Sequence, residues 1–369
     1  MIREIEIKNF KSLKDIANPV TNLNVLTGLN GSGKSSFIQM LLLLRQSFGN
    51  DLKRNLGLVL DRGIINLGTG KDVLYQFAGK EEMIETTLIW SNEASMHWEF
   101  NYNPSANLLP LHAMNINEFQ NFNLFNDNFQ YLNAEHIPPQ KSYKKSESDV
   151  IQKHDIGTKG EYAVHYLSEF GTSQKVIENS LLHQQAFSDS LIHQVDAWIG
   201  EISPGVRLVV EDLKGIDSIR LGVKYKTNLG YTDEFTPVNV GFGIPYVLPV
   251  VLAILKAQKG DILILENPES HLHPKGQSII GKLMAFTAQA GVQIFVETHS
   301  DHIINGIRVA VKNKTTHKEN VKIFFFKRDQ VDNEQYTCID EILIDKNGEL
   351  SQYPQDFLDE WNEQLLQLI

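Results

Sequence analysis

The sequence predicts an α/β fold organised on a mixed sheet, and three observations carry that expectation. Residues 23–27 form an apolar run of strand type, residues 28–36 a glycine-rich loop, and residues 37–45 an apolar run of helix type. Downstream, residues 261–265, 292–296 and 321–326 are short apolar runs separated by stretches long enough for helices, the pattern of parallel βα units. Between these two regions lie strand-like segments of another kind, so an antiparallel β subdomain is expected beside the core sheet.

Taken in order, Ile2, Ile5, Ile7 and Phe10 mark an opening strand, and residues 23–26 a second one that leads into the loop. The helix after Lys34 should run to about Ser47. Residues 66–72 are loop-like. Residues 83–90 read as a strand with Ile84, Thr86, Leu88 and Trp90 on one side. Residues 101–130 are asparagine-rich, dotted with phenylalanine, and have no clean period. A strand from Tyr131 should stop at Pro138-Pro139. Residues 172–198 place apolar side chains at helical spacing among polar ones, and Ser203-Pro204-Gly205 breaks that stretch. Residues 206–210 and 219–225 are strands expected to pair, and residues 242–255 a buried helix. The expected domains are 1–90 with the loop, an insertion or helical subdomain over 91–200, a second part of the core over 201–343, and a tail over 344–369.

Gly28-Leu29-Asn30-Gly31-Ser32-Gly33-Lys34-Ser35-Ser36 has the G-x-x-x-x-G-K-[ST] spacing of a phosphate-binding loop, with a strand before and a helix after. Gly31 and Gly33 allow the tight turn that aims backbone N–H groups at phosphate oxygens. The helix N-terminus adds partial positive charge. Lys34, read as lying in a solvated cleft, would reach the β- and γ-phosphates, and the Ser35 hydroxyl would join the shell of a Mg²⁺ ion. Asn30, Gly31, Ser32, Gly33, Lys34, Ser35 and Ser36 are thus the expected nucleotide-binding residues. A GTPase would need Asn-Lys-x-Asp, and Asn313-Lys314-Thr315-Thr316 lacks the aspartate.

Two later strands end in polar residues, where ligands gather at the edge of a parallel sheet. Leu265-Glu266-Asn267-Pro268-Glu269 offers Glu266 as the metal-side carboxylate, and Glu297-Thr298-His299 offers His299 to a γ-phosphate or to water. His271 and His273 lie close together, yet no matching cysteine or carboxylate spacing makes them a zinc pair.

Composition sets the outer bounds. Thirty-four basic side chains stand against 45 acidic ones, a net charge of −11, which argues against a surface coated with nucleic acid. Cys338 is the single cysteine, so an intrachain disulfide is excluded. The N-terminus has no signal-peptide core and no apolar run approaches the ~20 residues of a membrane span. The protein is read as soluble and cytoplasmic.

The segment Glu6 to Ser12, the phosphate loop, residues 266–274 and residues 297–301 together resemble the ABC-type ATPases of the SMC/RecF/OLD group. Val240-Gly241-Phe242-Gly243, Val247-Leu248-Pro249 and the tail from Ile344 to Glu360 resemble, more narrowly, a bacterial stand-alone subgroup with a short C-terminal tail. That subgroup is often found in anti-phage defence loci, in the wider circle of the Septu ATPase. The resemblance implies an ABC-ATPase head and ATP with Mg²⁺ as cofactors. It also implies a homodimer, or a higher oligomer, closed head to tail through the ATP sites. Lys34, Ser35, Glu266 and His299 would come from one subunit, and the signature segment with Gly241 and Gly243 from the other. Catalytic roles fall on Lys34, Glu266, Asn267, Glu269 and His299. Two departures stand out: Asn267 replaces the usual general-base glutamate, so that either Glu269 or Glu297 substitutes or hydrolysis is slow, and Gly241 stands where the signature serine is usual. A transporter subunit would need an intact Leu-Ser-Gly-Gly-Gln-like signature, which is absent. No Toprim-like acidic cluster follows the ATPase core, so cutting or toxic chemistry is expected from a separate effector, a nuclease or toxin. The alternatives are a DNA-binding recombination or repair ATPase and an ATP-locked scaffold without turnover.

Overall fold

The computed structural model describes residues 1–48, 57–79, 82–115, 122–213, 215, 217–241, 243–357 and 360–368. The chain divides into two compact units, one from Met1–Phe129, Glu319–Asp345 and Leu350–Ile369, the other from Gln130–Lys318 and Lys346–Glu349.

The first unit opens with strands β1 (Ile2–Phe10), β2 (Leu13–Pro19) and β3 (Leu23–Gly28), then helix α1 (Lys34–Phe48). Strands β4 (Gly57–Val59), β5 (Ile84–Trp90), β6 (Ser95–Phe100) and β7 (Leu108–Met114) follow. They assemble antiparallel in the order β2-β1-β5-β6-β7-β4. On β5, Ile84, Thr86, Leu88 and Trp90 all face the core, as their alternation predicts. Residues 321–342 return to this unit. Strand β15 (Val321–Val331) runs parallel to β3, from Val321 opposite Leu23 to Phe326 opposite Gly28, and antiparallel to β16 (Glu334–Ile342). Helix α1 is buried nearly all round. Phe37 packs edge-on against Phe326 of β15 (centroids 6.0 Å apart), and Phe48 lies 5.9 Å from Trp98 of β6. The loop that precedes α1 is therefore anchored to a fully packed helix.

The second unit holds β8 (Phe129–Leu132), β9 (Tyr143–Lys144), α2 (Ala163–Phe170), α3 (Leu191–Ile202), β10 (Val206–Asp212), β11 (Ser218–Thr227) and β12 (Gly230–Tyr231). Helix α4 (Gly243–Lys256), β13 (Ile262–Glu266), α5 (Pro274–Gln289), β14 (Gln293–Glu297) and α6 (Asp301–Lys312) complete it. Strand β13 sits between β14, parallel to it, and β8. Strands β10 and β11 pair antiparallel, as anticipated, with β9 and β12 added to β11. Helix α7 (Glu360–Gln367) lies in the tail. The fold class is α/β, as expected, with an antiparallel β-sheet and inserted helices.

Three local differences have physical reasons. Strands β2 and β16 were not anticipated because they are the edge strands of their sheets, half-polar (LKDIANP and EQYTCIDEI) as solvent-facing edges require. The stretch 172–198 is α-helical only from Leu191; upstream, apart from a 3-10 turn at Asn179–Leu181, the chain is pinned by side chains, Trp198 Nε1 donating to the Leu181 carbonyl (2.8 Å) and Gln194 to that of Ser188 (2.7 Å). In the stretch without a period, Leu108–Met114 is a strand, while residues 116–121 lie outside the described residues. Among the described residues no helix is long and apolar enough to cross a membrane.

Candidate functional site

The phosphate loop occupies the turn between β3 and α1 in the first unit. Gly28, Gly31 and Gly33 all have positive φ (131°, 74° and 109°). Gly28 cannot be replaced sterically: a Cβ there would lie 2.1 Å from the Phe326 carbonyl oxygen of β15. Ser32, Gly33, Lys34 and Ser36 are buried, and Asn30, Gly31 and Ser35 are exposed. Lys34 is not in a solvated cleft as expected. It is 3% exposed, and its ammonium donates to the carbonyls of Gly28 (2.9 Å) and Leu29 (3.0 Å), polar partners the loop itself supplies. The Ser32 hydroxyl, in a residue 2% exposed, has no partner among the described residues.

The second unit gathers its polar residues where β13 and β14 end together. Register places Glu266 opposite Glu297. The carboxylate oxygens of Glu266 accept from the Tyr131 hydroxyl (3.1 Å) and the Ala134 N–H (3.2 Å). Burial, reinforced by the neighbouring Glu297 charge, pushes the Glu266 carboxyl up to about 7. The Tyr131 hydroxyl is driven upward too, by its own burial first and then by Glu266. Asn267 donates its N–H to the Glu297 carbonyl (2.9 Å) and has φ +46°, a left-handed conformation that asparagine tolerates better than glutamate. Glu269 accepts at Oε1 from the His299 N–H (2.9 Å), its other oxygen has no partner among the described residues, and burial raises its carboxyl above the ordinary value. His299 itself is exposed, directly before Ser300, whose hydroxyl caps α6 by accepting from the Ile303 N–H (3.1 Å).

The structure thus brings Glu266, Asn267, Glu269, Glu297 and His299 to one pair of strand ends. Gly243 starts α4, and a Cβ there would meet the His271 carbonyl oxygen at 2.9 Å, so the signature segment abuts the turn after β13. Gly241 has open space where a side chain would stand, and Phe242 lies outside the described residues. The two histidines have local roles: His273 caps α5 by accepting from the Lys275 N–H (3.2 Å), and His271 packs on Tyr246 with centroids 4.5 Å apart.

Sequence reading missed the partners of these groups. Tyr131 lies on β8 and Ala134 just after it, both more than 130 positions before Glu266. Arg328 and Thr337, on β15 and β16, touch the phosphate loop: Arg328 Nε donates to the Gly31 carbonyl (2.7 Å), and the Thr337 hydroxyl lies 2.8 Å from both the Ser32 carbonyl and the Ser12 hydroxyl. Only the place of Ser12 in the opening resemblance hinted at that side of the loop.

Comparison with known proteins gives the following. Residues 84–305 match the family described as "AAA domain, putative AbiEii toxin, Type IV TA system", and residues 317–368 match a family of unknown function, DUF3696. A protein named ATP/GTP phosphatase, from Helicobacter pylori (strain ATCC 700392 / 26695), is 21% identical over 371 residues, covering 89% of this chain and 93% of its own. Among solved structures, an SMC head bound to the C-winged helix domain of ScpA aligns over 92% of this chain and 97% of its own, at 13% identity and a TM-score of 0.45. The SMC head domain from Thermotoga maritima aligns over 92% and 98%, at 11% identity and a TM-score of 0.44.

Proposed function

The chain belongs to the AAA-domain family matched over residues 84–305, and from that premise we propose that it binds and hydrolyses ATP as a nucleotide-gated dimeric switch controlling a separate effector protein. The observation that carries this reading is the phosphate loop, three positive-φ glycines and a buried lysine at the start of a packed helix. The name of the Helicobacter pylori relative supports hydrolysis of a nucleoside triphosphate. The family description, which includes a toxin of a toxin–antitoxin system, supports a setting in bacterial defence, as does the resemblance to the Septu-like subgroup.

In this reading Lys34 leaves the Gly28 and Leu29 carbonyls and turns to the β- and γ-phosphates, trading two neutral acceptors for a charged one. Ser35 and Glu266 are hard oxygen donors of the kind Mg²⁺ prefers, and the ion when bound would neutralise charge on the phosphates. A cation beside Glu266 would also draw its carboxyl, raised to about 7, back to the ionised form. Asn267 can orient water but cannot take its proton. Glu269 is the better substitute base, since its Oε2 has no partner while Oε1 is fixed by the His299 N–H. His299, exposed at the strand end, is assigned to the γ-phosphate. The signature segment around Gly241 and Gly243 is assigned to the partner's nucleotide, so that ATP joins two copies and hydrolysis releases them.

The test is ATP binding and hydrolysis by the purified chain and by Lys34→Ala, with oligomer mass recorded in each nucleotide state. Lys34→Ala should weaken ATP binding by about tenfold to a hundredfold, the loss of a charge-assisted contact, and should abolish ATP-dependent dimerisation. Unchanged ATP affinity in that variant would overturn the assignment. Asn267 favours a second reading, an ATP-locked scaffold; its mark would be tight binding and dimerisation with no turnover.

A further inference from the structure

Strand β15 continues five residues past Phe326, the partner of the last residue of β3, so its extension from Lys327 to Val331 runs on where the phosphate loop begins. On that extension Arg328 stands directly opposite Thr337 of β16. Cross-strand partners project to the same face of a sheet, and here both meet the loop. Arg328 Nε donates to the Gly31 carbonyl at 2.7 Å while its Nη1 donates to Gln335 at 2.9 Å, which fixes the guanidinium from behind. Thr337, 3% exposed, places its hydroxyl 2.8 Å from the Ser32 carbonyl and from the Ser12 hydroxyl, and its N–H donates to the Ser12 carbonyl at 2.8 Å. The fit leaves no room for a side chain at Gly33, whose Cβ would stand 2.3 Å from the Thr337 hydroxyl and 2.9 Å from that of Ser12.

We propose that the β15–β16 hairpin is a brace for the phosphate loop, with Arg328 and Thr337 as positioning residues of the nucleotide site. In a trans peptide the carbonyl and the next N–H point in opposite directions. Pinning the Gly31 and Ser32 carbonyls to the hairpin therefore turns the N–H groups of Ser32 and Gly33 away from it; that of Ser32 donates to the Leu29 carbonyl (3.3 Å), which fixes the turn, and that of Gly33 is directed as an anion-binding nest requires. Residues with preset N–H directions bind a polyphosphate without first paying the entropy of ordering the loop. This gives a role in nucleotide binding to part of residues 317–368, for which the family match supplies none. The inference rests on the phosphate-loop reading, and its test separates the two.

Equilibrium binding of ATP and ADP is measured on the full chain, on Arg328→Ala and Thr337→Val, on Thr337→Ser, and on Lys34→Ala, alongside thermal melting without nucleotide. Arg328→Ala and Thr337→Val should each weaken both nucleotides by roughly threefold to tenfold, the loss of one hydrogen bond to the backbone. Thr337→Ser, which keeps the hydroxyl, should restore wild-type affinity, which a merely steric role of Thr337 does not predict. Arg328 is exposed, so its variant should melt with the wild type and decides the matter even if Thr337→Val folds poorly. Wild-type affinity in Arg328→Ala, with binding lost in Lys34→Ala, overturns the brace and leaves the loop reading standing. Wild-type affinity in Lys34→Ala overturns both.

Discussion

The phosphate loop and the acidic strand ends of β13 and β14 are specified by different physics. The loop is a matter of backbone shape: positive φ at Gly28, Gly31 and Gly33, carbonyls held by Lys34, Arg328 and Thr337, and almost no space around Gly28 and Gly33. The strand ends are a matter of charge. Burial and Glu297 drive Glu266 towards its neutral form, and the hydrogen bonds from Tyr131 and Ala134 hold it back. A shape-specified site fails abruptly when an atom is added, whereas a charge-tuned site responds by degrees and with pH.

The largest effect is expected at Gly28. Gly28→Ala puts a methyl 2.1 Å from the Phe326 carbonyl oxygen at φ +131°, so β3 and β15 must separate where they pair. The cost should exceed about 3 kcal/mol, read as a lowered midpoint in denaturant. Gly31→Ala is the internal comparison. Its φ is +74°, but the nearest atom to the new methyl is Arg328 Nη2 at 3.6 Å, so only the left-handed penalty of about 1 kcal/mol applies. Equal midpoints for the two variants would mean that contact with β15 does not set the shape of the loop.

The acidic end should respond more mildly. Asn267→Glu places a carboxylate at the position that the resemblance assigns to the general base, yet it puts glutamate at φ +46°. Stability should fall by about 1 kcal/mol, while ATP turnover rises if the missing base limits hydrolysis. Turnover that stays flat in Asn267→Glu but vanishes in Glu269→Gln would identify Glu269 as the working base of the natural chain.

How much could be read in advance follows the same division. Several contiguous stretches were legible: the strand–loop–helix unit around Lys34 and the apolar strands β13, β14 and β15. Contacts that depend on distant segments were not. Tyr131 meets Glu266 across 135 positions, and Thr337 meets Ser32 across 305, with no local pattern to announce either. Lys34 was expected in solvent because its side chain is charged, and only the carbonyls of Gly28 and Leu29 explain why it can be buried. Strands β2 and β16 escaped because edge strands are half-polar, and β16 carries the residue that closes over Gly33.

Glu266 is the cleanest probe of charge tuning. Glu266 has a folded-state value of about 7 against an ordinary 4.5. Between those values the folded chain holds a proton that the unfolded chain has released, so this group's contribution to stability falls as pH rises from about 4.5 to about 7. Glu266→Gln removes that dependence. The melting temperature of the variant, measured without nucleotide, should therefore climb relative to the natural chain through that window and level off above it. Tyr131→Phe deletes a hydrogen bond that favours the ionised carboxylate. It should leave the fold intact, because the ring stays in place, and should move the upper edge of the window to higher pH. A difference curve that stays level from pH 4.5 to 7 would show Glu266 titrating as an ordinary exposed acid, and the contrast between a shaped site and a tuned one would then fall.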